Sequence, residues 1–497
     1  MPPSCATTIT ANARSDRSGS GSDRSLPTLR PDASPLGVAS AAPPTAAHAP
    51  GEHVNPITAL VARHRAGSGE GIYSVCSANP YVLRASMRQA LEDGAPLLVE
   101  ATSNQVDQFG GYTGMTPTDF RAAVLELAAA EGFPADRLVL GGDHLGPNTW
   151  QDRPADEAMP LAVDLVRAYV AAGYTKIHLD CSMPLQGEVA PLSDEVVADR
   201  AATLLAAAES AADDAGIDRS GIVYVIGTEV PTPGGAKETL HDLEPTPATA
   251  AIGTLDVHRA AFERAGLAAA WPRVVALVVQ PAVEFDHLQV IDYVPEATTA
   301  LQEVIEATPG LVYEAHSTDY QTPAALRALV DDHWAILKVG PGLTFGLREA
   351  LYALDAIESE IVPAGEATGL RAVVERRMLA EPDRWERYYE GDDLEQRIAR
   401  TYSYSDRMRY YWPDAEITAA TEGLLARLDE VGVPLPLLSQ YLPIQYERVR
   451  DGLLPNRAED IVLDRVRDVL RPYAAAVAPT RAGSADAVHA TTSKESL

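Results

Sequence analysis

Short apolar runs recur through the middle of the chain, and each ends in a polar residue or a glycine. They are Ile72-Tyr73-Ser74-Val75-Cys76, Pro96-Leu-Leu-Val-Glu100, Arg137-Leu-Val-Leu140, Lys176-Ile-His178-Leu-Asp180, Val223-Tyr-Val-Ile-Gly-Thr-Glu229, Val274-Val-Ala-Leu-Val-Val-Gln280, Leu311-Val-Tyr-Glu314-Ala-His316 and Ala335-Ile-Leu-Lys338. Near-continuous apolar runs of this length, bounded by turn residues, predict strands of a buried parallel sheet. Helix-compatible segments lie between them, at 116–131, 155–172, 195–212, 255–265, 295–307, 323–331 and 343–358. Eight strand–helix repeats over roughly 290 residues predict an α/β chain folded as a (β/α)8 TIM barrel, for which about 250 residues is typical. A helix over 55–67 leads into it.

Around the barrel, spanning 56–358, the pattern changes. Residues 1–55 are rich in Ser, Ala, Pro, Arg and Gly and show no period. They predict a disordered tail, as do 479–497. Residues 359–478 predict a helical extension, with helices over 371–380, 392–401, 415–431 and 458–473. Between them lie two aromatic segments, 402–412 and 437–446, the first carrying Arg407 and Arg409. Tyr, Trp and Arg favour a docking surface or a subunit interface; the sharper reading sends one arginine to a substrate phosphate.

Composition narrows the function. The net charge is −30, and both tails are nearly neutral, so the folded part is acidic. Such a body repels nucleic acid and anionic membranes, and no apolar run approaches the roughly 18 residues that span a bilayer. Cys5, Cys76 and Cys181 form no CxxC pair, which argues against a disulfide framework or a structural zinc cluster. With no signal-peptide core, the expected setting is a reducing cytoplasm. No GxxxxGK[ST] loop or protein-kinase signature occurs, so no nucleotide cofactor is expected.

In a (β/α)8 barrel the chemistry collects at the C-terminal ends of the strands. His144, Asp180, Glu229, Glu314 and His316 converge there. Mixed imidazole and carboxylate ligands suit a divalent ion such as Zn or Mn. The candidate ligands are His144, Asp180 and His316, and the candidate catalytic groups are Asp143, Glu229, Glu314 and Lys338. A mouth of hydrogen-bonded polar residues without metal is the alternative. In a regular strand Asp143 faces away from His144 and serves as a support. His178 lies deeper than Asp180 and reads as a core histidine, and Cys76 and Cys181 read as small buried hydrophobes. His241 and His258 default to the surface, and His333 opens the last strand at the opposite end of the barrel. Two long connections, 103–115 and 231–247, lie over the mouth. Glu100, Asn104, Gln105 and Gln280 are the candidate contacts to a polyhydroxy ligand. Gly340 and Gly342, in Lys338-Val-Gly-Pro-Gly-Leu-Thr344, open a helix where such barrels often bind phosphate. An ordinary Gly-Pro turn explains them equally well.

Several motifs together resemble the GatZ/KbaZ family from about residue 59 to 473. They include Glu100-Ala-Thr-Ser-Asn-Gln-Val, Gly110-Gly-Tyr-Thr-Gly-Met, Gly141-Gly-Asp-His-Leu-Gly-Pro-Asn, Glu314-Ala-His-Ser-Thr-Asp-Tyr-Gln-Thr and Ser405-Asp-Arg-Met-Arg-Tyr-Tyr-Trp. The resemblance implies a subunit that supports a class II tagatose-1,6-bisphosphate aldolase catalytic subunit, in an oligomer. It also admits a stand-alone ketohexose or ketohexose-phosphate 4-epimerase, with a sugar or sugar phosphate as ligand. The long N-terminal tail departs from the family pattern.

Overall fold

The computed structural model describes residues 55–227, 243–363 and 365–480. Nearly all of both expected tails, most of the 231–247 connection, Glu229 and His241 lie outside those residues. Eight parallel strands close into a barrel: β1 (Ile72–Val75), β2 (Leu97–Thr102), β3 (Leu138–Leu145), β4 (Lys176–Leu179), β5 (Val223–Ile226), β6 (Val274–Val278), β7 (Val312–Ala315) and β8 (Ile336–Val339). Neighbours in sequence are neighbours in the sheet, and β8 closes on β1 with Ser74 opposite Lys338. This is the (β/α)8 barrel expected from the eight apolar runs.

The foot of the barrel is sealed by the helix Pro56–Arg63. Its Ile57, Leu60 and Val61 form one buried cluster with Ile72, Leu98, Val139, Val223, Val312 and Ile336 from the strands. Asn55 caps this helix through Ile57 N–H, and its amide donates to the carbonyls of Thr175 and Gly221. One side chain thus starts the helix and pins it beneath β4 and β5.

Helices cover the outside. The expected segments form, the fourth of them from Ala248 rather than 255, because the weak helix former Gly253 obscures its start. A helix absent from the sequence expectation, Pro80–Asp93, follows β1. Asn79 caps it, Pro80 opens it, and left-handed Gly94 ends it. In the extension, Leu435–Tyr441 and Pro443–Arg450 are short helices where aromatic connection was expected. Prolines open both, so turn signals masked the helical period. The helix Ala458–Val477 packs against Pro80–Asp93, Pro323–Asp331 and Pro341–Ile361.

His258 is not at the surface. It is buried on Ala248–Arg264, with Nδ1 2.9 Å from the Thr254 carbonyl and its ring edge-on to Phe262. Burial lowers its pKa to about 4. His333 lies at the foot, its Nδ1 2.9 Å from His64 Nε2.

Candidate active site

Above the apolar foot the inward-facing positions turn polar, since alternate residues of each strand face the same side. Ser74, Glu100, Lys176, Glu314 and Lys338 are all buried there. Lys176 Nζ contacts the Glu100 carboxylate and lies 2.7 Å from Glu314 Oε2. Ser74 donates to Glu100 Oε2 at 2.7 Å. Gly141 has no side chain because Glu100 fills its place: a Cβ there would stand 2.5 Å from Glu100 Oε1.

The strand ends carry the next tier. Asp143, His144, His178 and His316 are buried, and their ligand atoms all lie within 4.8 Å of one another. Asp143 shares the inward face with Val139 and Gly141, so a regular β3 would aim Asp143, not His144, into the barrel. The strand is not regular. His144 takes φ +49° and the pairing of β3 with β4 shifts between Gly142 and Leu145. That irregularity turns His144 inward beside Asp143, so the two do not face apart as a regular strand would require.

Each imidazole is held from behind. His144 Nδ1 is 2.8 Å from Asp180 Oδ2, and the Asp180 carboxylate also accepts from Asn148, Ser182 N–H and Ser182 Oγ. His316 Nε2 is 3.0 Å from Glu314 Oε1. Asp180 therefore orients His144 and is not among the four clustered ligands, and Glu314 orients His316 while pairing with Lys176. Gly146 lets β3 pass directly over the Asp180 carbonyl, where a Cβ would collide with backbone.

His178 is more than a core histidine. Its Nδ1 lies 3.2 Å from the His144 backbone nitrogen, which donates to it, and 3.0 Å from Asp143 Oδ1. One nitrogen cannot accept the first bond and donate the second. Its Nε2 is buried with no hydrogen-bond partner. Either tautomer therefore leaves a buried nitrogen unsatisfied, which a cation shared among these groups would relieve. The charge count points the same way. Lys176 and Lys338 stand against Glu100, Glu314, Asp143 and Asp180, two formal cations against four carboxylates, all buried. Burial, then the Lys338 charge, holds His316 well below the usual imidazole range, and burial lowers His178. Burial alone would raise Asp143, but His144 and Lys338, which contacts it, hold it well below the carboxylate range. Neutral His178 and His316 beside an ionised Asp143 are the forms that ligate metals.

The cluster opens into a cavity of about 80 Å³ lined by Asn104, Gln105, Tyr112, Asp319, Arg409 and Tyr410 among others. Gln105 is fixed by Thr102 N–H, and its amide reaches the Cys76 carbonyl at 3.4 Å. Half-buried Cys76 stands at this mouth rather than in the outer core. A second cavity of about 420 Å³, between the barrel and the extension, shares Cys76, Gln105, Tyr112, Gly340 and Arg409 with it.

Two expected ligand contacts are placed elsewhere. Glu100 lies beneath the cluster at 0% exposure, and Gln280 Oε1 accepts from Val283 N–H, shaping its own loop. The expected phosphate cradle is occupied from within: Asp319 Oδ1 accepts from Gly340 N–H at 2.9 Å and Gly342 N–H at 2.7 Å. Sequence reasoning passed over Asp319 at the helix start, Lys176 in the charged layer and His178 in the ligand tier. Strand parity from Lys176 to His178 to Asp180 was the available signal for the latter two.

The fold and its mouth define a (β/α)8 barrel enclosing a buried His/Asp cluster that can hold a metal. The model of the D-tagatose-1,6-bisphosphate aldolase subunit GatZ/KbaZ-like family matches residues 57–478, and the chain belongs to that family. Among solved structures, a probable tagatose 6-phosphate kinase from Sinorhizobium meliloti 1021 is 49% identical, with TM-score 0.75; the match covers 82% of this chain and 100% of that one. The YdjI aldolase from Escherichia coli K12 matches at 11% identity and TM-score 0.38, over 76% of this chain and 98% of its own. Fructose-bisphosphate aldolase from Campylobacter jejuni matches at 13% and 0.38, over 76% and 92%. Among the described residues no helix is long and apolar enough to cross a membrane.

Proposed function

We propose that the barrel mouth binds a divalent metal, Zn or Mn, through Asp143, His144, His178 and His316, and beside it a ketohexose or ketohexose phosphate whose epimerisation or aldol-type cleavage it promotes. The observation that carries this is the convergence of three imidazoles and a carboxylate, all buried and within 4.8 Å. Zn and Mn suit a donor set of nitrogen and oxygen with open positions. When bound, such an ion would polarise the ketose carbonyl or a hydroxyl and acidify the neighbouring carbon.

The chain's own groups do the rest. Asp180 and Glu314 fix the orientation of His144 and His316. His144 and Lys338 keep Asp143 ionised, the form in which it would serve as a ligand. Asn104, Gln105 and Tyr112 offer hydrogen bonds to sugar hydroxyls. Glu229 stays a candidate by its place at the end of β5. Nothing in the sequence supplies a nucleotide-phosphate loop, which weighs against the kinase name carried by the 49% identical protein.

A second reading is favoured by the family description: a supporting subunit of tagatose-bisphosphate aldolase, assembled in the cytoplasm with a class II catalytic subunit. The two readings are separated by incubating metal-loaded protein with tagatose, fructose and their phosphates. Interconversion or ligand-induced stabilisation, lost in His316→Ala and Glu229→Gln, supports the working mouth. No turnover and no stabilisation, with partner stimulation that survives both substitutions, leaves the supporting subunit alone.

A further inference from the structure

Arg409 is a half-buried charge without a counter-charge among the described residues. Its guanidinium donates to the Ser405 and Asp406 carbonyls and, at 2.9 Å, to Tyr410 Oη, and lies over the Tyr410 ring. Among the described residues every acid stays beyond 4.0 Å, although its field reaches Asp319 and Asp406. The nearest acid of its own segment, Asp406, is already held by Arg348 at 3.1 Å and Thr344 at 2.5 Å. A guanidinium in a cavity wall with no acid at hand is suited to meet a phosphate, and this chain carries thirty surplus negative charges. Arg409 lines the same cavity as His144, His316 and Lys338, and also the wall shared with the larger cavity.

Another part of the same cavity wall is already filled by a carboxylate. The helix Pro341–Ile361 would present its first N–H groups to a phosphate, but Asp319 already occupies those of Gly340 and Gly342. Its carboxylate would repel a second anion there.

We infer that two residues set the charge of the ligand: Arg409 receives one phosphate of a ketose phosphate, and Asp319 refuses a second. The mouth is then a monophosphate site, not a bisphosphate site. This rests on the mouth being a ketose site, and it goes further by choosing among ketoses. The Tyr410 hydroxyl, already drawn to Arg409, and the neighbouring Tyr112, whose ring meets that of Tyr410 edge-on at 4.9 Å, would complete the receptor.

The test is calorimetry on Mn- or Zn-loaded full-length protein with four probes: fructose, fructose 6-phosphate, tagatose 1,6-bisphosphate and inorganic phosphate. Wild type should bind the monophosphate at least tenfold more tightly than either fructose or the bisphosphate. The preference over fructose should fall toward unity in Arg409→Met and recover in part in Arg409→Lys. Asp319→Ala, or the gentler Asp319→Asn, should narrow the gap between bisphosphate and monophosphate. Wild type binding the bisphosphate as tightly as the monophosphate would overturn the inference, as would a preference unchanged in Arg409→Met. If fructose binds and phosphate adds nothing, the inference fails and the ketose site stands. If no sugar binds, the ketose site fails. Inorganic phosphate then decides the receptor: binding lost in Arg409→Met supports it, and no binding in wild type overturns it.

Discussion

The two ends of this barrel are made from the same eight strands and could hardly differ more. At the foot, Ile72, Leu98, Val139, Val223, Val312 and Ile336 meet Ile57, Leu60 and Val61 in an apolar plug. One register step higher the same strands present Ser74, Glu100, Lys176, Glu314 and Lys338, and higher again Asp143, His178 and His316. Backbone strain divides the same way. Of the described non-glycine residues with positive φ, His144 lies near the end of β3, Ala282, Ser317 and Tyr320 follow strand ends at the mouth, Asp406 lies in the extension, and His333 lies at the foot. The foot is held by area burial; the mouth keeps charge and strain that cost stability, and such cost is retained where a ligand repays it.

That contrast can be broken at its charged layer first. Lys176→Met leaves Glu100 and Glu314 to the more distant Lys338, 3.9 and 3.8 Å away, and should cost about 3–5 kcal/mol in denaturant unfolding. A loss below about 1 kcal/mol would mean that the layer tolerates unpaired carboxylates. At the foot, Leu60→Ala should cost about 3 kcal/mol as a cavity, while metal content and ligand binding at the mouth stay at wild-type levels. Coupled loss of both would deny that the two ends are independent.

Titration offers a smaller and more specific test. Burial pushes Glu284, beside the mouth, up to about 7 from an ordinary 4.5. An acid whose folded pKa is raised contributes stability that is full below about pH 4.5 and is lost as pH rises through about 7. Wild type should therefore lose up to about 3 kcal/mol between pH 4.5 and 8 from this group, seen as a falling melting temperature. Glu284→Gln should flatten that fall, and an unchanged profile would remove Glu284 as its source. The smallest effect is expected at Asn148, which holds Asp180 at 2.7 Å. Asn148→Ala should weaken metal affinity about tenfold through His144 while costing only about 1 kcal/mol of stability.

The barrel was legible because each strand is a short apolar run with a turn at its end, and parallel strands covered on both sides show that pattern strongly. The tier of ligands was legible only in part. His144 and His316 stood out at strand ends, but His144 enters the site through a left-handed residue that no period reveals. His178 was hidden because an imidazole inside an apolar run is more often a satisfied core residue, and its missing partner exists only in three dimensions. Gly340 and Gly342 advertised a phosphate cradle; the carboxylate that fills it, Asp319, comes from the preceding strand–helix loop, and sequence spacing cannot show that meeting.

The central claim is that the mouth is a metal site, and metal content tests it most directly. Protein purified without chelator should carry close to one equivalent of Zn or Mn by elemental analysis, and His178→Ala, folded by circular dichroism, should carry far less. Metal-free wild type whose melting temperature does not move on adding Zn or Mn would contradict the claim, as would undiminished metal in His178→Ala.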